Sequence, residues 1–345
     1  MNNKQMQVKY SCPSNIALVK YWGKKEGGVQ LPANASISWS LSDLFAETSM
    51  IATQEEGSKL IFTFKGEPKP SFEPKIKAFL ERISQYSDFV KTHNFTVDTV
   101  NNFPHGTGIA SSAAGFGALA MCIADLEGKY VNGSAEFFER ASFFARLGSG
   151  SACRSVYGKP AVWGEHSEVE NSSDLHAVPF EKEIHQSLSN WKDCVLIVDD
   201  GEKKVSSSAG HALLENHPYA AARFANAQKN IGKITTYLQS GDVSNFIALV
   251  ESEALQLHSM MMSSIPYFTL IRPNTLAILE EIWSFREETK LPLAFTLDAG
   301  ANVHLLYDKQ YETEISNFID NKLLVYCKNG TYLCSNIGGT PQKLT

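Results

Sequence analysis

The chain has 345 residues, 43% hydrophobic and 20% charged, an ordinary globular composition long enough for about two domains with full cores. Its formal net charge of −6 gives no support for nucleic acid or an anionic membrane as partner, so an anionic substrate has to be held by local lysines, arginines and amide groups. Residues 1–10 lack the apolar core of a signal peptide, and no apolar run approaches a membrane span; a cytoplasmic enzyme or binding protein is expected.

In chain order, short alternating runs come first. "ISWSLSDLF" (37–45) and "KLIFTF" (59–64) read as strands. "SFEPKIKAFLERISQYS" (71–87) reads as a helix with Ile76, Phe79, Leu80 and Ile83 on one face. "FTVDTVNNF" (95–103) is a strand that feeds a glycine-rich stretch, and helix formers follow over 111–127. A second helix spans 134–148, with Ser134 as N-cap and Gly148 as its stop. "PAVWGE" (160–165) and "DCVLIVDD" (193–200) read as strands, with a soft domain boundary near residue 190. Helices are expected over about 210–239 and 244–260, then the strand–turn–strand "LAFTLDAGANVHLLY" (293–307) and a C-terminal α/β finish. Without strict βαβ alternation the pattern favours α+β over a doubly wound sheet. The six cysteines, Cys12, Cys122, Cys153, Cys194, Cys327 and Cys334, are scattered with no CxxC pair, which reads as reduced, mostly buried thiols.

Four stretches can carry chemistry, and each has a plainer reading. In "NNFPHGTGIASSAAGFGALAMC" (101–122), Gly106, Gly108 and Gly115 flank Ser111 and Ser112 between a strand and a helix. Free amides at a helix N-terminus suit phosphate, but the same small residues suit a helix packed tightly on a sheet. In "SNIALVKYWGKK" (14–25), Lys20, Lys24 and Lys25 form an anion site or a solvated basic edge beside a buried Trp22. In "GSGSACRSVYG" (148–158), Arg154 grips an anion in two-point fashion or bonds loop carbonyls. In "TLDAGANVHLL" (296–306), Asp298 is a turn former or a catalytic carboxylate; alternation with Leu293, Phe295 and Leu297 puts it on the face of Ala294 and Thr296. The nine histidines show no HExxH-type spacing, so no zinc site is expected. The triple methionine at 260–262 reads as core or pocket lining.

Taken together these stretches are more specific. "PHGTGIASSAAG" (104–115) resembles the PxxxGLxSSAA phosphate loop of the GHMP small-molecule kinases. The ordered set "NIALVKYWGKK…LPANASISWSLS", "IASSAAGFGALA", "GSGSACRSVYG" and "LDAGANVHLL" is similar to one branch of them, the diphosphomevalonate decarboxylases, from about residue 11 to 307. The resemblance implies an α+β fold of two domains. The first, over 1–190, is of the ribosomal-protein-S5-like, left-handed βαβ type and binds ATP; the second, over 191–345, is α/β, and the active site lies in the cleft between them. The implied reaction turns mevalonate 5-diphosphate and ATP, with magnesium, into isopentenyl diphosphate, carbon dioxide, ADP and phosphate.

Carried over position by position, the resemblance implies that Pro104, Gly106, Thr107, Gly108, Ala110, Ser111, Ser112 and Ala113 wrap the ATP phosphates. Ser112 is nearest the γ-phosphate and magnesium. Tyr21, Trp22, Gly23 and Lys24 line the substrate diphosphate side, with Lys20 by the reacting centre. Ser149, Gly150, Ser151 and Arg154 hold substrate, Arg154 by its carboxylate, and Asp298 orients or deprotonates the 3-hydroxyl. "KKVSSSAGH" (203–211) resembles the branch's second-domain serine motif, so Ser207 and Ser208 reach the substrate phosphates. The chain departs from the pattern at His105, at "MMMSSIPYFTL" (260–270), and at an arginine missing near 60–72, where only Lys65 and Lys69 stand. Phosphomevalonate decarboxylase and mevalonate 3-kinase activities stay open, as does a non-catalytic phosphometabolite-binding role. A homodimer is also left open.

Overall fold

The computed structural model describes residues 5–26, 28–55, 59–104, 109–201 and 207–345, with the side chains of 207–209 excepted. Its first sheet is built on two long antiparallel strands, β1 (Gln5–Val19) and β2 (Ser36–Gln54). Over its second half β2 alternates between buried and half-buried residues, because only one face is covered there; Ser36–Leu41 is buried throughout, because that end passes into the middle of the molecule. β3 (Leu60–Phe64) continues into the short β4 (Glu67–Pro68). A crossover through α1 (Glu73–Ser84) and α2 (Asp88–Lys91) then leads to β5 (His93–Asn101), which pairs parallel with β3 and antiparallel with β2. α1 buries Ile76, Phe79, Leu80 and Ile83, the face its spacing predicts.

α3 (Ser111–Glu127) and α4 (Ala135–Gly148) pack behind this sheet, with the one-turn α5 (Ala152–Ser155) beside them. α3 is buried on nearly every side, which its small residues permit; a Cβ on Gly117 would meet Cys12 Sγ at 2.5 Å. Ser134 caps α4, its hydroxyl accepting from the Phe137 amide at 3.2 Å. Gly148 is not a left-handed stop: it ends the helix facing the ring of Phe116, and Ser149 beyond it is extended. β6 (Ala161–Trp163) adds to the inner end of β2 and carries β7 (Ala177–Pro179).

After α6 (Gln186–Ser189), β8 (Trp191–Leu196) begins a second, antiparallel sheet. It starts two residues before the expected strand and leaves the sheet at Leu196 rather than at residue 200. Helices α7 (Ser207–Ala212), α8 (Ala220–Ser240), α9 (Val243–Met262) and α10 (Pro273–Thr289) precede the hairpin of β9 (Leu293–Leu297) and β10 (Val303–Asp308). The single helix expected over 210–239 is two, because Pro218 disfavours helical backbone at His217. α11 (Glu312–Phe318) leads to β11 (Tyr332–Asn336), giving the order β11-β8-β10-β9. The final β12 (Gln342–Lys343) crosses back to pair with β1.

Trp39 of β2, Trp191 of β8 and Phe246 of α9 pack together at centroid distances of 5.3 to 6.1 Å, joining the two sheets' cores. Cys194 and Cys334 face each other across β8 and β11 and form a disulfide, against the expectation of reduced thiols throughout; Cys12, Cys122, Cys153 and Cys327 are free and buried. Among the described residues no helix is long and apolar enough to cross a membrane.

Candidate active site

The site begins where β1 ends. Lys20 is 3% exposed, and its ammonium donates to the Ala17 carbonyl at 2.6 Å. Its backbone amide donates to Glu253 of α9, which also accepts from Arg223 (2.6 Å) and Asn230 (2.6 Å). Glu253 is wholly buried, so this four-way contact pins the end of β1 to the second half of the chain. Burial pushes the Lys20 ammonium down to about 8, opposed by the carboxylates of Asp298 and Glu253 and reinforced by the Arg154 charge. Lys20 is thus within electrostatic reach of both Arg154 and Asp298.

The turn that follows needs glycine. Gly23 has φ of +101°, and a Cβ there would meet the Phe224 ring at 2.5 Å. Tyr21 lies against Trp163 and His211 at centroid distances of 4.5 and 4.4 Å. Trp22 turns away into a cluster with Leu214, Leu257, Met260, Met261 and Leu270, so it is the wall behind the site, and two of the three methionines are its backing. Lys24 is half-buried, and burial together with the Arg82 guanidinium lowers its pKa. Lys25 stands apart, exposed and paired with Asp174 at 2.5 Å. Lys65 and Lys69 lie over the rings of Phe64 and Phe72.

The loop at 149–151 closes over this turn. A Cβ on Gly150 would meet Trp163 at 2.6 Å and Tyr21 at 2.9 Å, so glycine lets the backbone touch both rings. Asn15 holds the loop by donating to the Ser151 carbonyl (3.1 Å) and the Ser155 hydroxyl (2.7 Å). Arg154, on α5, is 2% exposed. Its Nε donates to the Ser38 hydroxyl at 2.9 Å and Nη1 to the Ser36 hydroxyl at 2.6 Å. Among the described residues no carboxylate forms an ion pair with it, although Asp298 acts on it from a distance. A buried guanidinium that donates to neutral hydroxyls and lies over the Trp163 ring, with no ion pair among the described residues, is suited to an incoming anion.

Of the glycine-rich stretch, His105, Gly106, Thr107 and Gly108 lie outside the described residues. Ile109 is anchored by the Ser14 hydroxyl, which donates to its carbonyl at 2.7 Å. Ala110 then takes a left-handed conformation (φ 37°) rare for alanine and turns the chain into α3. Ala113 and Ala114 are buried in the first turn, where their amides bond to the Ala110 carbonyl. Pro104 and Ser112 are exposed, and Ser111 is half-buried. The Ser112 and Ser149 hydroxyls are 3.3 Å apart, so the phosphate-loop candidate and the 149–154 loop meet. A pocket beside them is lined by Ser111, Ser112 and Gly115 together with Phe62, Phe64, Phe72 and Phe116. Sequence reasoning did not single out those phenylalanines: Phe62 and Phe64 alternate in β3 as ordinary core, and Phe72 and Phe116 belong to the start of α1 and to α3.

Asp298 stands just beyond β9, half-buried. Its carbonyl accepts from the Gly300 amide (2.7 Å) and from His258 Nε2 (3.0 Å), so the main chain holds the turn. Every residue of β9 is buried, so the alternation that set Asp298 apart does not separate the faces of this strand. The side chains of Ser207 and Ser208 lie outside the described residues; their backbone opens α7. The same helix carries His211, which is buried against Tyr21 and Trp22 and accepts from the Gly23 amide. No spacing signal marks His211, Glu253 or Arg82 in the sequence, since each acts across a long separation. Among the described residues no cluster of three metal-ligating side chains occurs.

A family model described as the diphosphomevalonate decarboxylase-like N-terminal domain matches residues 12–174. One described as the mevalonate 5-diphosphate decarboxylase C-terminal domain matches residues 194–339. The diphosphomevalonate decarboxylase of Debaryomyces hansenii is 32% identical over 330 residues, covering 90% of this chain and 81% of its own length. That of Saccharomyces cerevisiae is 32% identical over 329 residues, covering 90% and 80%. Among solved structures, mevalonate diphosphate decarboxylase from Staphylococcus aureus has a TM-score of 0.85 at 26% identity, over 99% of both chains. A structure described as "MDDEF in complex with MVAPP, AMPPCP and Magnesium" has a TM-score of 0.84 at 26% identity, again over 99% of both.

Proposed function

The chain belongs to the diphosphomevalonate decarboxylase family, and from that premise we propose that it converts mevalonate 5-diphosphate and ATP into isopentenyl diphosphate, carbon dioxide, ADP and phosphate, in the cytoplasm. The observation that carries this reading is one juxtaposition. Lys20, Arg154 and Asp298 come from three distant segments, two of them are nearly sealed from water, and Asp298 acts electrostatically on both cations. A carboxylate that acts on two buried cations suits a substrate that must be deprotonated at a hydroxyl and gripped at a carboxylate.

The residues divide the work. Asp298 orients the 3-hydroxyl and takes its proton as that oxygen is phosphorylated. Arg154 holds the substrate carboxylate in two-point fashion. Lys20 offsets charge that builds on the oxygens of the transferring group. When the C3–O bond breaks, its electron pair leaves with phosphate; the C1–C2 pair becomes the new double bond, and carbon dioxide departs. ATP with magnesium supplies the phosphoryl group. The residues present fit that pair: the 17-residue α3 opens with two serines, and an aromatic slot beside them suits a purine. Ser111, Ser112 and Ala113, with Pro104 and Ala110 and with Gly106, Thr107 and Gly108, would hold the phosphates. Ser112 would share magnesium with them, the usual arrangement for a cation bound mostly through a nucleotide. Tyr21, Gly23, Lys24, Ser149, Gly150 and Ser151, with Ser207 and Ser208, would surround the substrate. The two domains of this reading divide near residue 190.

Arg82 supports the diphosphate over the monophosphate. Its guanidinium, which donates to the Leu147 carbonyl at 2.7 Å, acts electrostatically on Lys24 and so adds positive charge on the Lys24 side, despite the arginine missing near residue 70. The test incubates the protein with ATP, magnesium and either mevalonate 5-phosphate or the 5-diphosphate, and follows ADP and carbon dioxide together. Equal yields of the two products and a higher kcat/KM for the diphosphate are expected. ADP without carbon dioxide would assign a 3-kinase instead.

Lys20 adds a pH prediction. With its pKa lowered to about 8 it is charged at neutral pH and loses its proton as pH rises through that value. If the ammonium offsets charge in the transition state, log kcat/KM falls on the basic side with an inflection near 8. In Lys20→Arg, whose guanidinium stays charged, activity drops but that limb disappears. A limb unchanged in the variant would remove Lys20 from this role.

A further inference from the structure

His211 has no part in the assignments above. It is 8% exposed, and its ring lies between Tyr21 at 4.4 Å and Trp22 at 4.5 Å. The preceding Gly210 sits so close to Trp22 that a Cβ would meet the indole at 2.6 Å. With two aromatic rings packed against it, the imidazole offers its nitrogens for polar contact. One edge is used: the Gly23 amide donates to Nδ1 at 2.9 Å. A nitrogen that accepts a hydrogen bond has kept its lone pair, so the neutral ring carries its proton on Nε2. Among the described residues Nε2–H has no hydrogen-bond partner, and it is not one of the sealed, unpartnered atoms.

The surroundings indicate what that donor meets. The Lys24 ammonium and the Asp298 carboxylate both act on the imidazole. The ring is therefore within electrostatic reach both of Lys24, which follows the Gly23 turn, and of the Asp298 carboxylate. Burial and the Lys24 charge depress its pKa to about 3, so it stays neutral at working pH. A neutral donor can bond an anionic oxygen without adding a third cation beside Lys24 and Arg82.

We propose that His211 is a substrate-positioning residue whose Nε2–H donates to the phosphoryl oxygens at the 5-end of the substrate, its tautomer set by the Gly23 amide and its plane by Tyr21 and Trp22. This rests on the decarboxylase reading, and the experiment separates the two. Carbon dioxide release by the wild-type protein from mevalonate 5-diphosphate is measured first and decides the reading. His211→Phe keeps a ring between Tyr21 and Trp22 but has no nitrogen. His211→Gln restores an N–H near the Nε2 position. Both lose the Nδ1 acceptor for Gly23; phenylalanine keeps the ring and loses the N–H, whereas glutamine loses the ring and keeps the N–H, so a better glutamine variant credits Nε2–H over packing. In His211→Phe the KM for the diphosphate should rise about tenfold or more, the range for a lost hydrogen bond to a charged group. kcat and the KM for ATP should stay within about threefold, because the bond serves ground and transition states alike. His211→Gln should recover most of the loss. Glutamine as poor as phenylalanine, or an equal rise in the KM for ATP, would reduce His211 to packing and overturn the proposal. Inorganic pyrophosphate titrated calorimetrically into the folded variants gives a second measure, which also stands if the wild type releases no carbon dioxide. Weaker binding to His211→Phe than to His211→Gln supports the proposal, and equal binding overturns it.

Discussion

Asp298→Asn should lower turnover by about a hundredfold or more, the scale of general-base loss. Asparagine keeps the shape of the side chain and can neither take a proton nor carry charge. The turn itself should survive, because its fixed contacts run through the Asp298 carbonyl, which accepts from Gly300 and His258. Nucleotide and substrate should bind as well as before or better, since both are anions and a negative charge has been removed. A second effect follows from Lys20. The Asp298 carboxylate is the largest force holding the Lys20 pKa up against burial. Without it the ammonium loses its proton at a lower pH, so the residual activity of Asp298→Asn should have its basic limb moved in the acid direction. Single-turnover formation of ADP and carbon dioxide across pH measures both. Near-normal carbon dioxide release would remove Asp298 from the catalytic role. An unmoved basic limb would sever its link to Lys20.

Local elements were legible in the sequence where local physics decides them. α3 begins and ends where the run of small and apolar residues does, and α1 buries the four residues that its spacing selects. Ser134 caps α4 because a serine hydroxyl there can reach the third amide of the helix. The glycine-rich stretch needed the structure to divide its two readings. Gly117 is a packing residue against Cys12, whereas Gly115 faces the pocket beside Ser111 and Ser112. The packing reading therefore holds at Gly117, while Gly115 leaves its side of the helix open to the pocket.

What was not legible depends on long separations. Glu253 meets Lys20 across 233 residues, and His211 meets Gly23 across 188. Nothing near either partner in the chain marks these contacts. The Cys194–Cys334 pair has the same origin: the two cysteines are 140 residues apart, and only the register of β8 against β11 sets them opposite each other. Arg82 lies half-buried on α1, off the apolar face that the periodicity selects, and nothing in that spacing refers to Lys24. In each case the fold supplies a neighbour that spacing along the chain cannot.

Arg154→Met should separate binding from chemistry in a way that Asp298→Asn does not. Methionine fills similar volume but loses the guanidinium fork, so the substrate carboxylate loses its two-point grip. The KM for mevalonate 5-diphosphate should rise as kcat falls, with kcat/KM lower by about a hundredfold or more. ATP binding should change little, because Arg154 bonds to Ser36 and Ser38 on β2 and not to residues of the phosphate-loop stretch. Those two buried hydroxyls lose their donor, which costs stability of about 1 to 3 kcal/mol and should appear as a lower melting temperature. The distinguishing signal is stoichiometry. The 3-hydroxyl, Asp298 and Lys20 remain, so phosphoryl transfer can continue on a substrate whose carboxylate is no longer aligned for loss. ADP release should then outrun carbon dioxide release in Arg154→Met, whereas in Asp298→Asn the two fall together. Arg154→Lys restores charge without the fork, and it should recover substrate binding more than it recovers the one-to-one yield. Equal yields of ADP and carbon dioxide in Arg154→Met would mean that the carboxylate is aligned by other groups, and that the buried guanidinium acts on the phosphoryl transfer instead.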